Sequence, residues 1–141
     1  MDLSINLENS VLYIRVALLI KSQNGYIFEK SPLGHVFPVG GKIKLNETSI
    51  EAAKREMMEE LGFEVKNLKF KSVLENFYSK DDINFHELCF VYETGDVFLE
   101  EVGEGFVEIS ESNIDSLDIR PKIMIDFILG KDNEFSKILN K

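Results

Sequence analysis

Residues 55–60 read Arg-Glu-Met-Met-Glu-Glu. On a helix, positions three and four apart are neighbours, so Glu56, Glu59 and Glu60 crowd onto one face. Each like-charge pair costs about 0.2–0.5 kcal/mol even on an exposed helix. Glu59 and Glu60 also fall near the C-terminal end, where the helix dipole opposes negative charge. Two separate rules are broken within one turn, as happens at functional sites. A hard divalent cation reverses the sign of the problem, because Mg²⁺ takes carboxylate oxygens, waters and substrate phosphates as ligands. The three glutamates alone also read as a solvated acidic face, and their flanks decide between the two. Gly40 and Gly41 precede the helix and allow a backbone to approach a ligand closely. Arg55 lies four residues from both Glu51 and Glu59, and Glu47 stands just before the helix.

The order is Gly41, five residues, Glu47, seven residues, Arg55-Glu56-Met57, one residue, Glu59-Glu60, one residue, Gly62-Phe63. This resembles the signature box of the Nudix family, with every specified position filled. "PVGG" stands where Pro-Gly-Gly is commoner in the family. The segment "ENFY…FHELCFVYE" is similar to one in small bacterial members. The resemblance implies an α/β fold, a Nudix-type α/β/α sandwich around a mixed β-sheet, with the box as loop–helix–loop. It implies hydrolysis of a nucleoside diphosphate linked to another group, with Mg²⁺ or Mn²⁺. Carried over, Glu56, Glu59 and Glu60 hold metal together with the Gly40 carbonyl. Glu56 also orients or deprotonates the attacking water, and Arg55 pairs with Glu47 and its neighbours to hold them in position. Many members draw a further carboxylate from a loop outside the box, for which Glu100, Glu101 and Glu104 are the candidates. Substrates in view are nucleotide sugars such as ADP-ribose and (deoxy)nucleoside triphosphates. Two alternatives stay open: a non-catalytic Nudix domain that senses a nucleotide or binds a protein, and a pyrophosphohydrolase of RNA 5′ ends.

Outside the box the candidates for substrate contact are Arg15, Phe37, His86 and Glu101. Arg15 interrupts an apolar strand, and a buried arginine needs a partner. It equally suits an edge strand facing solvent. His86 opens a strand, where a lone histidine is more often structural. Phe37, Phe77, Tyr78 and Phe106 are able to stack on a base, although most aromatics fill cores. Cys89 sits mid-strand and reads as inert core.

The elements that must position these groups follow from local pattern. Residues 11–20 are apolar and β-branched and predict a buried strand. Asn24-Gly25 predicts a type I′ turn into a strand over 26–29. Residues 31–41 read as loop with an extended piece at Val36 and Phe37. Thr48 or Ser49 caps a helix that runs to Leu61, buries Ile50, Ala53, Met57 and Leu61, and stops at Gly62. Strands are expected over 65–75 and 85–93, with "SKDDIN" as a polar break, and shorter ones over 97–99 and 106–109. Ser110 to Ser112 offer caps for a turn of helix. Pro121 suits the first turn of a helix through Leu129, and Asp132 caps a last helix over 133–139.

The chain has 141 residues, which fits one domain over 1–141. The formal charge of −9 repels a phosphate polymer, and Lys66, Lys69 and Lys71 are too few to overcome it. No polynucleotide and no membrane is therefore expected as partner, and the resemblance implies a small-molecule nucleotide. A homodimer stays open. The longest apolar run, 16–20, is strand-sized. A lone cysteine forms no internal disulfide, and the first residues lack the pattern of a signal peptide, so the cytoplasm is expected.

Overall fold

Strand β2 (Ser10–Lys21) is the spine of the molecule. Its apolar run has no polar face, because both faces are covered. Val16, Leu18 and Ile20 bury into one layer, and Ala17 and Leu19 into the opposite one. The computed structural model describes residues 1–64, 67–131 and, as a strand, 138–140. The other strands are β1 (Ser4–Leu7), β3 (Tyr26–Lys30), β4 (His35–Phe37), β5 (Val39–Lys42) and β6 (Lys69–Lys80), followed by β7 (Ile83–Thr94), β8 (Phe106–Ile109), β9 (Asp118–Ile119) and β10 (Ile138–Asn140). They form one mixed sheet in the order β10-β6-β7-β2-β3-β4-β9, with β1 and β5 also on β2 and β8 on β3. The pairings β2 with β7, β4 with β9 and β10 with β6 are parallel.

Helix α1 (Ser49–Leu61) covers one face. Thr48 and Glu51 form the capping box, and Gly62 ends the helix at φ 81° with its N–H donating to the Met58 carbonyl. The buried residues are Ala52, Ala53, Glu56 and Met57, and Leu61 packs beside them. Ile50, expected on this face, is 39% exposed. Helix α2 (Met124–Ile128) lies on the other face with Met124 and Phe127 buried. The expected α/β/α layering is therefore present.

Several local expectations are corrected. Neither Asn24 nor Gly25 has positive φ, so no type I′ turn forms there. Gly25 is needed for another reason: a Cβ would stand 1.9 Å from the Ile109 carbonyl oxygen. The two-residue turn with positive φ at both positions is Asp81 (52°) and Asp82 (63°), inside the stretch read as a break, and it joins β6 to β7 directly. The strand expected from 65 begins at Lys69, and Val65 and Lys66 lie outside the described residues. Residues 97–99 are not a strand, because Leu99–Glu101 forms a 3₁₀ turn. The short helical turn expected after Ser110–Ser112 is Ile114–Ser116. The helix expected from Pro121 begins only at Met124. Of the last expected helix, 133–137 lie outside the described residues, while Ile138 and Leu139 are strand beside Leu74 and Glu75. β1, β5 and β9 were not expected. Glycine disfavours strands, which hid β5.

Candidate active site

The charge pattern of the box is assembled around one guanidinium. Arg55 Nε and Nη2 donate to the two carboxylate oxygens of Glu47 at 2.6 and 2.9 Å. Nη1 donates to Glu56 Oε1 at 2.8 Å and to Glu59 Oε2 at 3.3 Å. Nη2 also reaches the Lys42 carbonyl at 3.0 Å, which ties the helix to β5. The bidentate fork to Glu47 is the geometry that favours arginine over lysine. The Arg55 guanidinium holds the Glu47 carboxyl down at about 2, helped by the Lys44 N–H.

Glu56 is 7% exposed, an unusual place for a carboxylate. Gly41 makes the room: a Cβ there would lie 2.3 Å from Glu56 Oε1. Gly40 has a matching constraint, since its Cβ would lie 2.1 Å from the Val16 carbonyl oxygen, where β5 runs tightly along β2. Burial pushes the Glu56 carboxyl above its ordinary value, and Arg55 opposes that rise. Glu59 and Glu60 are exposed at the end of α1. Among the described residues, no three His, Cys, Asp or Glu side chains stand close enough together to enclose an ion as they lie here. Arg55 draws the Glu56 and Glu59 carboxylates towards itself. The donor set nevertheless fits a hard divalent cation. It is all oxygen, it joins one buried carboxylate to two exposed ones, and a glycine cradle opens beside it.

Glu29 joins this cluster from β3. Burial, a hydrogen bond shared with the Glu60 carboxyl, and the charges of Glu60 and Glu56 push its carboxyl up to about 8.

On the opposite face of the sheet, Arg15, Phe37, Asn76, Glu87, Arg120 and Met124 line a cavity. Its floor follows from register: Arg15 of β2 lies beside Cys89 of β7, and Glu87 of β7 beside Asn76 of β6. Buried Glu87 accepts from the Tyr13 hydroxyl and from Asn76 Nδ2. Arg15 Nε is buried with no hydrogen-bond partner. Such a donor is costly unless a ligand or water meets it. Burial pushes the Cys89 thiol up to about 12, so it stays an inert core group as expected.

Of the candidates, the structure gathers Glu47, Arg55, Glu56 and Glu59 in one network, with Gly40 beside them on β5, and brings Glu60 up against Glu29. Arg15 and Phe37 share the cavity. His86 does not join them. It stacks on Phe77 at 4.2 Å in an open groove that Tyr78 also lines. Glu101 is exposed on its 3₁₀ turn, and it is not among the groups that shift Glu29 or Glu56. Phe106 packs beneath the α1 layer. Glu29, Asn76, Glu87 and Arg120 escaped the sequence reading. Only Glu29 left a signal, as an acid at the inward-facing position of "YIFEK".

The NUDIX domain family model matches residues 10–120. No curated protein matches the chain by sequence. Among solved structures, a mutator MutT protein from Bacillus halodurans is similar, with a TM-score of 0.69 at 18% identity over 90% of this chain and 89% of that one. A MutT protein from Methanosarcina mazei Go1 gives 0.62 at 21% identity, over 90% and 96% of the two chains. The Ap4A hydrolase of C. elegans gives 0.59 at 16% identity, over 85% and 95%.

Proposed function

This chain belongs to the Nudix family, and from that premise we propose that it cleaves the pyrophosphate bond of a nucleoside diphosphate linked to another group, using Mg²⁺ or Mn²⁺. The observation that carries this reading is the Arg55 network, in which one guanidinium holds Glu47, Glu56 and Glu59 under the Gly41 cradle. Every acid of the box is present, which argues against a non-catalytic domain. Glu56, Glu59 and Glu60, with the Gly40 carbonyl, are the residues to hold the cation. When bound, such an ion neutralises charge on phosphoryl oxygens and lowers the pKa of water.

The chain's own groups account for the remaining steps. Arg55 engages Oε1 of Glu56, which leaves Oε2 to accept the proton of the attacking water. Burial raises Glu56 above an ordinary carboxyl and makes it a stronger base. Glu47 acts through Arg55, whose plane its two carboxylate oxygens fix. On the far face, the cavity suits the nucleoside end: Phe37 offers a ring for stacking and Arg15 Nε a donor for a base acceptor. The name Ap4A hydrolase, carried by one structural neighbour, agrees with a nucleotide substrate. Nucleotide sugars such as ADP-ribose and (deoxy)nucleoside triphosphates are the substrates to try first.

The test is a screen of such compounds with Mg²⁺ or Mn²⁺, with products identified by mass. Monophosphate plus a phosphorylated group, or monophosphate plus pyrophosphate, is the expected result. Glu56→Gln should lose about 10²–10⁴-fold in kcat, the usual worth of a positioned base. Turnover that persists in EDTA, or a Glu56→Gln enzyme of normal rate, would overturn the mechanism.

A further inference from the structure

The cavity opposite α1 is lined by a guanidinium and a carboxylate, and among the described residues no ion pair joins them. Tyr13 lies across from Glu87 and Arg15 across from Cys89, so Arg15 and Glu87 are diagonal neighbours on one face of the sheet. Arg15 Nε is buried without a hydrogen-bond partner. Glu87 is 5% exposed. Both its oxygens are acceptors, one for the Tyr13 hydroxyl and one for Asn76 Nδ2 at 3.2 Å. Tyr13 is itself fixed, by the Tyr78 hydroxyl and by Lys42 Nζ 4.8 Å over its ring. The cavity is about 50 Å³, room for the edge of a flat ring, and half-buried Phe37 and exposed Arg120 also line it.

We propose that Arg15 and Glu87 read the base of the nucleotide, and select a 6-oxopurine over a 6-aminopurine. The inference rests on the hydrolase reading above, which brings the nucleoside end to this cavity. A guanidinium only donates hydrogen bonds and a carboxylate only accepts them. A 6-oxopurine carries its O6 acceptor beside the N1–H donor, so O6 meets Arg15 and N1–H meets Glu87. A 6-aminopurine carries the reverse order, an N6–H donor beside the N1 lone pair. In the same pose its donor faces Arg15 and its lone pair faces Glu87, and both contacts repel. The sugar leaves towards the α1 carboxylates in either case, which fixes the edge of the ring that meets the pair. Buried polar groups left unmatched are what lets a site reject a near-isostere.

The experiment is calorimetric binding of inosine 5′-monophosphate and adenosine 5′-monophosphate, in Mg²⁺, to wild type, Arg15→Met and Arg15→Lys. The two nucleotides differ only along the edge at issue. Wild type should bind the inosine nucleotide about tenfold or more tighter. Arg15→Met is close in length and removes an unpartnered donor, so it should melt no lower than wild type. Its two affinities should lie within about twofold of each other. Arg15→Lys keeps a donor and the charge, and should retain part of the preference. Equal wild-type affinities, a preference for adenine, no binding of either nucleotide, or an Arg15→Met protein that still favours inosine would each overturn the inference. Turnover of the matched triphosphates is scored separately. Metal-dependent hydrolysis with no base preference would leave the hydrolase reading standing while the base reading fell. A base preference in binding with no turnover of any nucleotide would do the reverse.

Discussion

Gly41 shows how much of the site depends on an atom that is missing. A methyl group there would lie 2.3 Å from Glu56 Oε1, so Gly41→Ala must push that carboxylate out of its cradle. Displacements of this size at a reacting group cost about a hundredfold in rate. We expect that loss in kcat, with the fold retained by circular dichroism; an alanine variant of full activity would mean that Glu56 works from another position. Glu47 makes a prediction in pH. Its carboxyl ordinarily titrates at 4.5 and is held at about 2 by Arg55. Between those values the unfolded chain binds more protons than the folded one, so the ion pair's stabilisation is complete above 4.5 and fades as pH falls towards 2. Glu47→Gln should cost about 1–3 kcal/mol at neutral pH. The gap from wild type in urea unfolding should narrow steadily on acidification; a gap of constant size would exclude the ion pair as its source. The box residues were legible because a helix converts spacing into neighbourhood. Glu29 was not, because its closeness to Glu60 comes from where β3 lies beside the end of α1, and no spacing records that. Arg15 stood out as a charge in an apolar strand, but its want of a partner is a tertiary fact.

Elements were legible where local chemistry had no competitor. The cap at Thr48 and the stop at Gly62 both formed, and so did the spine strand. Turns were less so. Asn24-Gly25 carries the residues of a type I′ turn without its dihedrals, whereas Asp81-Asp82 has the dihedrals without the residues. The long β6–β7 pairing, from Lys69↔Glu93 to Lys80↔Ile83, dictates that tight turn, and two aspartates bear it. Asp82→Gly should therefore stabilise the protein, by a few tenths to about 1 kcal/mol. Gly25→Ala should destabilise it by about 1–3 kcal/mol, through collision with the Ile109 carbonyl and not through φ. Chemical denaturation of the two variants checks both signs; a harmless Gly25→Ala would remove the steric explanation. β5 and β10 were hidden for opposite reasons. The first has glycines where strands avoid them, and the second is a short terminal segment given strand form by the edge of β6.

At the scale of the molecule, a net charge of −9 is spread along the chain, and α1 gathers Glu56, Glu59 and Glu60 within one turn. Mg²⁺ or Mn²⁺ should raise the melting temperature. A hundredfold excess over Kd is worth about 2.7 kcal/mol, on the order of 5–10 °C for a chain of this size. EDTA should reverse the rise, and a melting point indifferent to both would remove the cation from the account. The layered α/β plan was legible from the alternation of strand and helix patterns, but the strand order was not, since parallel neighbours such as β2 and β7 are far apart in the chain. The two faces of β2 bear on descent. Its odd residues, with Leu74, Asn76, Glu87 and Cys89, look towards α2, and its even residues look towards α1. Substitutions on the cavity side change its lining without repacking α1, so selection can retune which compound is admitted while the box keeps its place. β2 itself has no such licence. A single inserted residue would exchange its faces, so loops in this lineage are free to lengthen while the spine must keep its count.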